Sequence, residues 1–204
     1  MIVFNVIDEE IAASGIVEGF VAAKAQRNNE LKSFNRSSSE ETDLDLKLKT
    51  EVDSVPRFAM RFVLDKEFEK LEYFGKGPKE SYIDFQNHAS FGVWEDTVTN
   101  QYEPYIRPQE CGNHIDTDWV KLESENNGFY VESDNSFEFS ALHYSIEQLD
   151  AADHSFELEP SEETDLLINY KVEGIGSHSC GPELPEKYRL RDREINLNFR
   201  VECK

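Results

Sequence analysis

The chain has 204 residues and carries 42 Asp and Glu against 21 Lys and Arg, a net charge of −21. Such a charge repels phosphate backbones and anionic lipid, which excludes nucleic-acid binding and membrane-surface adhesion as primary roles. Fourteen Phe and eight Tyr nevertheless supply large apolar side chains for a packed core, and the length fits one large all-β domain or two small ones.

No apolar run approaches the ~18 residues of a membrane span. The start, MIVFNVIDEE, lacks the basic segment and small-residue cleavage site of a signal peptide. Three cysteines, Cys111, Cys180 and Cys203, make no complete disulfide framework and no CxxC pair, so a reducing cytoplasm is the expected compartment.

Residues 1–41 form an unassigned lead-in. Ile16, Phe20 and Ala23 have helical spacing, but Gly15 and Gly19 weaken a helix and Arg27 interrupts the stripe. Ser37 to Glu41 is polar and reads as a loop. Residues 42–204 form the predicted β domain. Leu44, Leu46, Leu48, Thr50 and Val52 alternate with Asp45, Lys47, Lys49 and Glu51, the pattern of a half-buried strand. Pro56 breaks that run, and Phe58, Met60, Phe62 and Leu64 repeat the alternation. Phe129 to Val131, Phe137 to Phe139, Phe156 to Leu158 and Leu166 to Val172 read as short strands. Turn signals at Asn126-Asn127-Gly128, Ser133-Asp134-Asn135 and Glu159-Pro160-Ser161 separate them. One short helix is predicted after Ser145, which has capping-box spacing to Gln148. The last strand alternates Ile195, Leu197, Phe199 and Val201 with Asn196, Asn198, Arg200 and Glu202. Many short strands at this spacing predict a sandwich or barrel, not βαβ units.

Candidate chemistry is sparse. In Gly75-Lys76-Gly77-Pro78 the proline removes a donor and no Lys-Ser/Thr pair follows, so a turn at a strand end is expected, not a phosphate loop. His114, Asp116 and Asp118 alternate, so a strand would put all three on one face as weak metal-ligand candidates; the solvated face of a strand is the commoner explanation of such a triplet. Between Glu147 and Glu173 nine acids face one base, Lys171, which reads as a solvated outer face. The histidines at 88, 114, 143, 154 and 178 form no local triad or metal spacing. His178 and Cys180 lie in the glycine-rich run from Gly174 to Pro182, the composition of a functional loop on a β scaffold. Tyr82, Trp94, Tyr102 and Tyr105 suit either sugar stacking or core packing.

The run from Tyr73 through Gly75, Gly77, Pro78, Glu80 and Tyr82 to Asp84 resembles the "YFGxGPxENYxD" signature of the C-terminal, small-chain domain of glycoside hydrolase family 2 β-galactosidases. Gln101 to Glu110, containing Tyr105 and Pro108, is similar to that family's "Y-x-PYIxPQENG". Similar blocks follow in order at Phe139 to Tyr144, Asp150 to His154 and Gly174 to Pro182, so the resemblance spans about residues 55 to 190. Ser81 and Cys111 stand where the family usually has Asn.

The resemblance implies a large antiparallel β-sandwich of the galactose mutarotase-like type. It also implies that the catalytic glutamates lie on a separate TIM-barrel domain or large subunit, so that this chain holds no catalytic residue. Cys180 matches a pocket-rim position where some members carry tryptophan, and His178, Ser179 and Gly181 share its loop. Gly75, Gly77, Pro78, Glu80, Tyr82, Tyr105, Pro108 and Glu110 would be structural or interface residues. No cofactor is expected in this chain, any Mg or Na in the assembled enzyme being bound elsewhere. The expected partners are the barrel, a galactoside and further copies in an oligomer. A stand-alone carbohydrate-binding module and a mutarotase-like epimerase are the rival readings.

Overall fold

The computed structural model describes residues 2–5, 38–47, 54–175 and 184–203. Among the described residues nine strands run in the order β1 (Ile2–Asn5), β2 (Ser38–Lys47), β3 (Arg57–Asp65), β4 (Lys70–Gly77), β5 (Ser90–Thr97), β6 (His114–Glu123), β7 (Gly128–Leu142), β8 (Glu163–Val172) and β9 (Glu194–Cys203). The short helix α1 (Ile146–Ala151) lies between β7 and β8. The protein is therefore all-β and predominantly antiparallel, as predicted, with β1–β3 the parallel pair among the described residues.

The sheet runs β1-β3-β8-β7-β6-β4-β5, and it forks at β7. On one edge of that strand, Phe129 to Glu132 pair with β9, which in turn pairs with β2; Glu138 to Leu142 pair with β8. The two branches face each other. Phe62 of β3 packs edge-on against Phe199 of β9, with ring centroids 6.0 Å apart. Phe58, Phe137, Phe139, Leu166 and Ile168 join Ile195 and Leu197 in one apolar cluster, the sandwich core. Burial of this much aliphatic and aromatic surface supplies the main driving force for the fold.

Several local readings need correction. Ser38 to Glu41 is not a loop but the start of β2, held by register with Arg200 to Cys203. Its polar residues hide a strand whose specification comes from backbone pairing rather than alternation. Residues 48–52 of the predicted run lie outside the described residues. Ser133-Asp134-Asn135 does not turn the chain; it is the exposed middle of the 15-residue β7, at the point where the strand changes partner. Phe156 to Leu158 is not a strand, since Ser155–Glu157 form a 3-10 turn and Phe156 is 82% exposed. The helix after Ser145 is present with both halves of its capping box.

The strands β3, β7 and β8 are buried on both faces where they meet. Six consecutive residues of β8, Thr164 to Asn169, are buried, as are Phe137 to Leu142 of β7. Phe137, Phe139, Leu166 and Ile168 point into the apolar core. The alternate residues Glu138, Ser140 and Asn169, with Arg57 of β3, make a buried polar face on the opposite side. That face carries the candidate site.

Candidate functional site

The two signature segments, residues 73–84 and 101–110, cover the polar face and are stitched to it by hydrogen bonds. Ser81 N donates to Asn113 O at 2.6 Å, and Asn113 Nδ2 returns a bond to Ser81 O at 3.0 Å. The same amide group donates to Glu138 Oε2 at 2.9 Å and accepts from Asn169 Nδ2 at 3.1 Å. Val172 N also donates to Glu138 Oε2, at 3.1 Å. Even so, burial dominates the Glu138 carboxyl and raises its pKa to about 8, so that it is held largely protonated at neutral pH.

Glu80, 6% exposed, accepts from the Tyr105 hydroxyl and from Gly112 N at 2.7 Å. Burial raises its pKa, with those two donors opposing the shift. The Arg57 guanidinium, 2% exposed, is paired with Glu110 through Nη2, and the Tyr82 hydroxyl reaches the same carboxylate at 3.5 Å. Nε and Nη1 of Arg57 have no hydrogen-bond partner among the described residues. The structure thus brings together Glu80 with Tyr105, and Tyr82 with Glu110, although neither pair is local in sequence. Pro108 is buried beside them.

A cleft of about 760 Å³ opens here, walled by Pro56, Arg57, Tyr82, Glu110, Gly174 and Leu184 among others. Gly174 and Leu184 stand on either side of residues 176–183 in the chain. Cys180, His178, Ser179 and Gly181 fall in that interval and lie outside the described residues.

Gly75 and Gly77 are not turn residues. They end β4, where their missing side chains admit neighbours: a Cβ on Gly75 would sit 2.6 Å from Thr117 Oγ1, and one on Gly77 would sit 2.2 Å from Tyr73 Oη. The turn begins after them, through the cis peptide before the exposed Pro78.

His114, Asp116 and Asp118 do not share a face. β6 is irregular between His114 and Trp119, and Asp116 takes φ 53°, so the alternation breaks. His114 is 1% exposed, whereas Asp116 is exposed and pairs with Lys76 at 2.8 Å. His114 Nε2 donates to Gln101 Oε1 at 2.7 Å, because Gln101 uses its amide hydrogens on Asp96 Oδ2. Nδ1 lies 3.0 Å from the Tyr73 hydroxyl and 3.2 Å from the Lys76 carbonyl oxygen. Burial lowers the imidazole pKa to about 4, which fixes it neutral. No group of three or more His, Cys, Asp or Glu among the described residues is arranged to hold a metal.

The aromatic candidates pack inward. Tyr82 is fully buried, Trp94 lies against the main core, and Tyr102 and Tyr105 cover a smaller cluster of Cys111, Leu142 and Leu149. Seven of the nine acids from Glu147 to Glu173 are exposed, as a solvated face requires; Asp165 is the buried exception and is held by Arg61 Nε at 2.7 Å. Arg57, Asn113 and Glu138 were not singled out by sequence. Glu138, flanked by two phenylalanines, reads as the solvent side of a strand and carries no sign that its own face is covered.

The chain matches the β-galactosidase small chain family over residues 13–202. It belongs to that family. The match runs back across residues 13–41, which the motifs left unassigned. A β-galactosidase of Staphylococcus xylosus is 38% identical over 98% of this chain, and one of Actinobacillus pleuropneumoniae is 39% identical over 74%. A β-galactosidase of Kluyveromyces lactis is 31% identical over 71%. The chain spans only 19%, 14% and 14% of the length of these relatives, respectively. Among the described residues no helix is long and apolar enough to cross a membrane.

Proposed function

We propose that this chain is the C-terminal, small-chain part of a cytoplasmic β-galactosidase of glycoside hydrolase family 2. The complete enzyme would hydrolyse terminal β-D-galactosides such as lactose with retention, through two carboxyl groups flanking the scissile bond. Those carboxyl groups belong to a TIM-barrel domain or large subunit. This chain packs against that barrel, as a β-sandwich of the galactose mutarotase-like type, and lends one wall to the sugar pocket in an oligomeric enzyme. Any magnesium or sodium ion belongs to the remainder of the enzyme.

The observation that carries this reading is the family match across 13–202 in a chain no longer than about a fifth of its relatives. The site chemistry supports it. The buried carboxyls Glu80 and Glu138 and the half-buried Glu110 all hold backbone or side-chain donors of the fold in place. A retaining glycosidase needs two carboxyls facing a common open pocket; of these three Glu110 alone lines the cleft, and it is paired there with Arg57. Cys180 is assigned to the pocket rim, with His178, Ser179 and Gly181 in the same loop. A thiol offers shape and polarity there but no aromatic platform for a sugar ring.

Hydrolysis of a chromogenic β-galactoside by the complete enzyme, with and without this segment, tests the reading. Deletion of the segment is expected to abolish turnover, and full turnover by the truncated enzyme would overturn it.

A further inference from the structure

We infer that the outer face of β4, β5, β6 and β7 is a binding site for neutral, β-1,4-linked oligosaccharides. Four aromatic rings cross that face in one line. The core takes Tyr73, Val120, Phe129 and Val131, so their neighbours Phe74, Trp119 and Tyr130 point the other way. Phe74 pairs in register with Trp119 on one side and with Val93 of the edge strand β5 on the other. The ring centroids of Phe74 and Trp119 are 6.4 Å apart, with 33° between their planes. Those of Trp119 and Tyr130 are 6.0 Å apart, with 36° between them. Phe91 of β5 stands 4.4 Å from Phe74 at 61° and closes the line as an end wall. Phe91 is 51% exposed, and the other three rings are half-buried.

Cross-strand contact accounts for each pair of rings. It does not account for a line of them that is open to solvent and ends at a polar cleft. That cleft, of about 380 Å³ at the β6–β7 turn, is lined by Lys121, Glu123, Asn126, Asn127, Tyr130 and Glu202 among others. Tyr130 therefore belongs to both the line and the cleft. Its charged neighbours are already engaged: Lys121 and Lys70 pair with Glu123 at 2.7 and 3.0 Å, and Arg200 pairs with Glu132 and Glu202. The side-chain amides of Asn126 and Asn127 have no hydrogen-bond partner among the described residues. The groups left for a ligand are thus uncharged, and each both donates and accepts. A pyranose has the matching chemistry. Its C–H groups form an apolar face for an aromatic ring, and its edge carries hydroxyls for the amides. A straight row of rings calls for an extended sugar chain, which a β-1,4 linkage provides and an α-1,4 linkage curls away from. The site shares no residue with the cleft at Arg57, and the inference stands independently of the role proposed for Cys180.

Cellotetraose is the probe, because it is neutral, β-1,4-linked and free of the galactosyl group that a β-galactosidase pocket takes. Titrated into the 204-residue chain, it is expected to shift the Trp119 indole N–H signal saturably, with a Kd of about 1 mM. The Trp94 indole donates to Gly75 O at 3.2 Å and is expected to stay unshifted, as an internal reference. Trp119→Ala, followed through the Tyr130 amide, is expected to weaken binding about tenfold, and Asn127→Ala about threefold. Asn127→Ala leaves the sheet intact and carries the test alone where Trp119→Ala does not fold. Maltotetraose, the α-1,4 counterpart, is expected to bind about tenfold more weakly. In the complete β-galactosidase containing this chain, saturation transfer from protein to cellotetraose is expected, and its loss in the same variants. The absence of a saturable shift at ten times the expected Kd overturns the inference. So does binding that neither substitution weakens, or equal binding of maltotetraose. Binding by the chain but not by the complete enzyme shows a face covered by the rest of the protein, and overturns it as a sugar site.

Discussion

The side-chain amide of Asn113 donates to Glu138 at 2.9 Å on a face of the sheet that is closed to solvent. Asn113 is in turn fixed by Ser81 and Asn169, so one amide links the signature segment to β7 and β8. The carboxyl it meets is the most strongly perturbed acid of the site, raised by burial to about 8.

The sign of that shift sets a pH dependence. A group whose folded pKa lies above its unfolded value stabilises the fold fully below the unfolded value, and that stability drains away as pH rises through the folded value. For Glu138 the window runs from the ordinary glutamate range to pH 8, and roughly 4 to 5 kcal/mol is lost across it at about 1.4 kcal/mol per pH unit. Glu138→Gln is uncharged at every pH and is expected to remove this slope. Urea unfolding of the chain at pH 5 and pH 8.5 checks it: the variant should gain on the parent by several kcal/mol between the two, and parallel behaviour would contradict it.

His114 acts in the opposite direction. Its pKa is lowered by burial to about 4, so its stability is present above the ordinary histidine value of 6.5 and is lost as pH falls through 4. The loss amounts to roughly 3 kcal/mol. His114→Phe gives up two hydrogen bonds and should be less stable at pH 7, yet it should show no further loss from this position between pH 6.5 and pH 4. Unfolding free energies at those three pH values test this, and an acid slope equal to the parent's would contradict it.

Gly112 stands at φ +72°, with Gln101 O 2.7 Å from where a Cβ would be. Its N–H also serves Glu80. Gly112→Ala combines left-handed strain with a clash against a backbone oxygen, and a loss of roughly 2 to 4 kcal/mol is expected. A denaturation midpoint within error of the parent would contradict this packing.

The strands visible in sequence are those with one wet face. β9 alternates Ile195, Leu197 and Phe199 with exposed or half-buried polar residues, and that period can be read directly. Where both faces are covered, as in Phe137 to Leu142, polar residues belong to the interior and the period no longer tells inside from outside. Ser133-Asp134-Asn135 has the composition of a turn, which divides β7 in the sequence pattern, whereas it is the wet stretch between two partners. The motif blocks identified Glu80, Tyr105 and Glu110, but not what each one meets. Their partners lie 25 to 53 residues away, and no local spacing encodes such contacts. The metal reading of His114 to Asp118 failed because a bulge in β6 rotated its middle residue outward.

The central claim is that this chain shapes a galactoside pocket whose catalytic carboxyls lie on the remainder of the enzyme. Turnover of a chromogenic β-galactoside by the purified 204-residue chain, free of host enzyme, tests it most directly. The expected result is no hydrolysis above the uncatalysed rate. Sustained turnover that is abolished by substituting a carboxylate of this chain would contradict the claim.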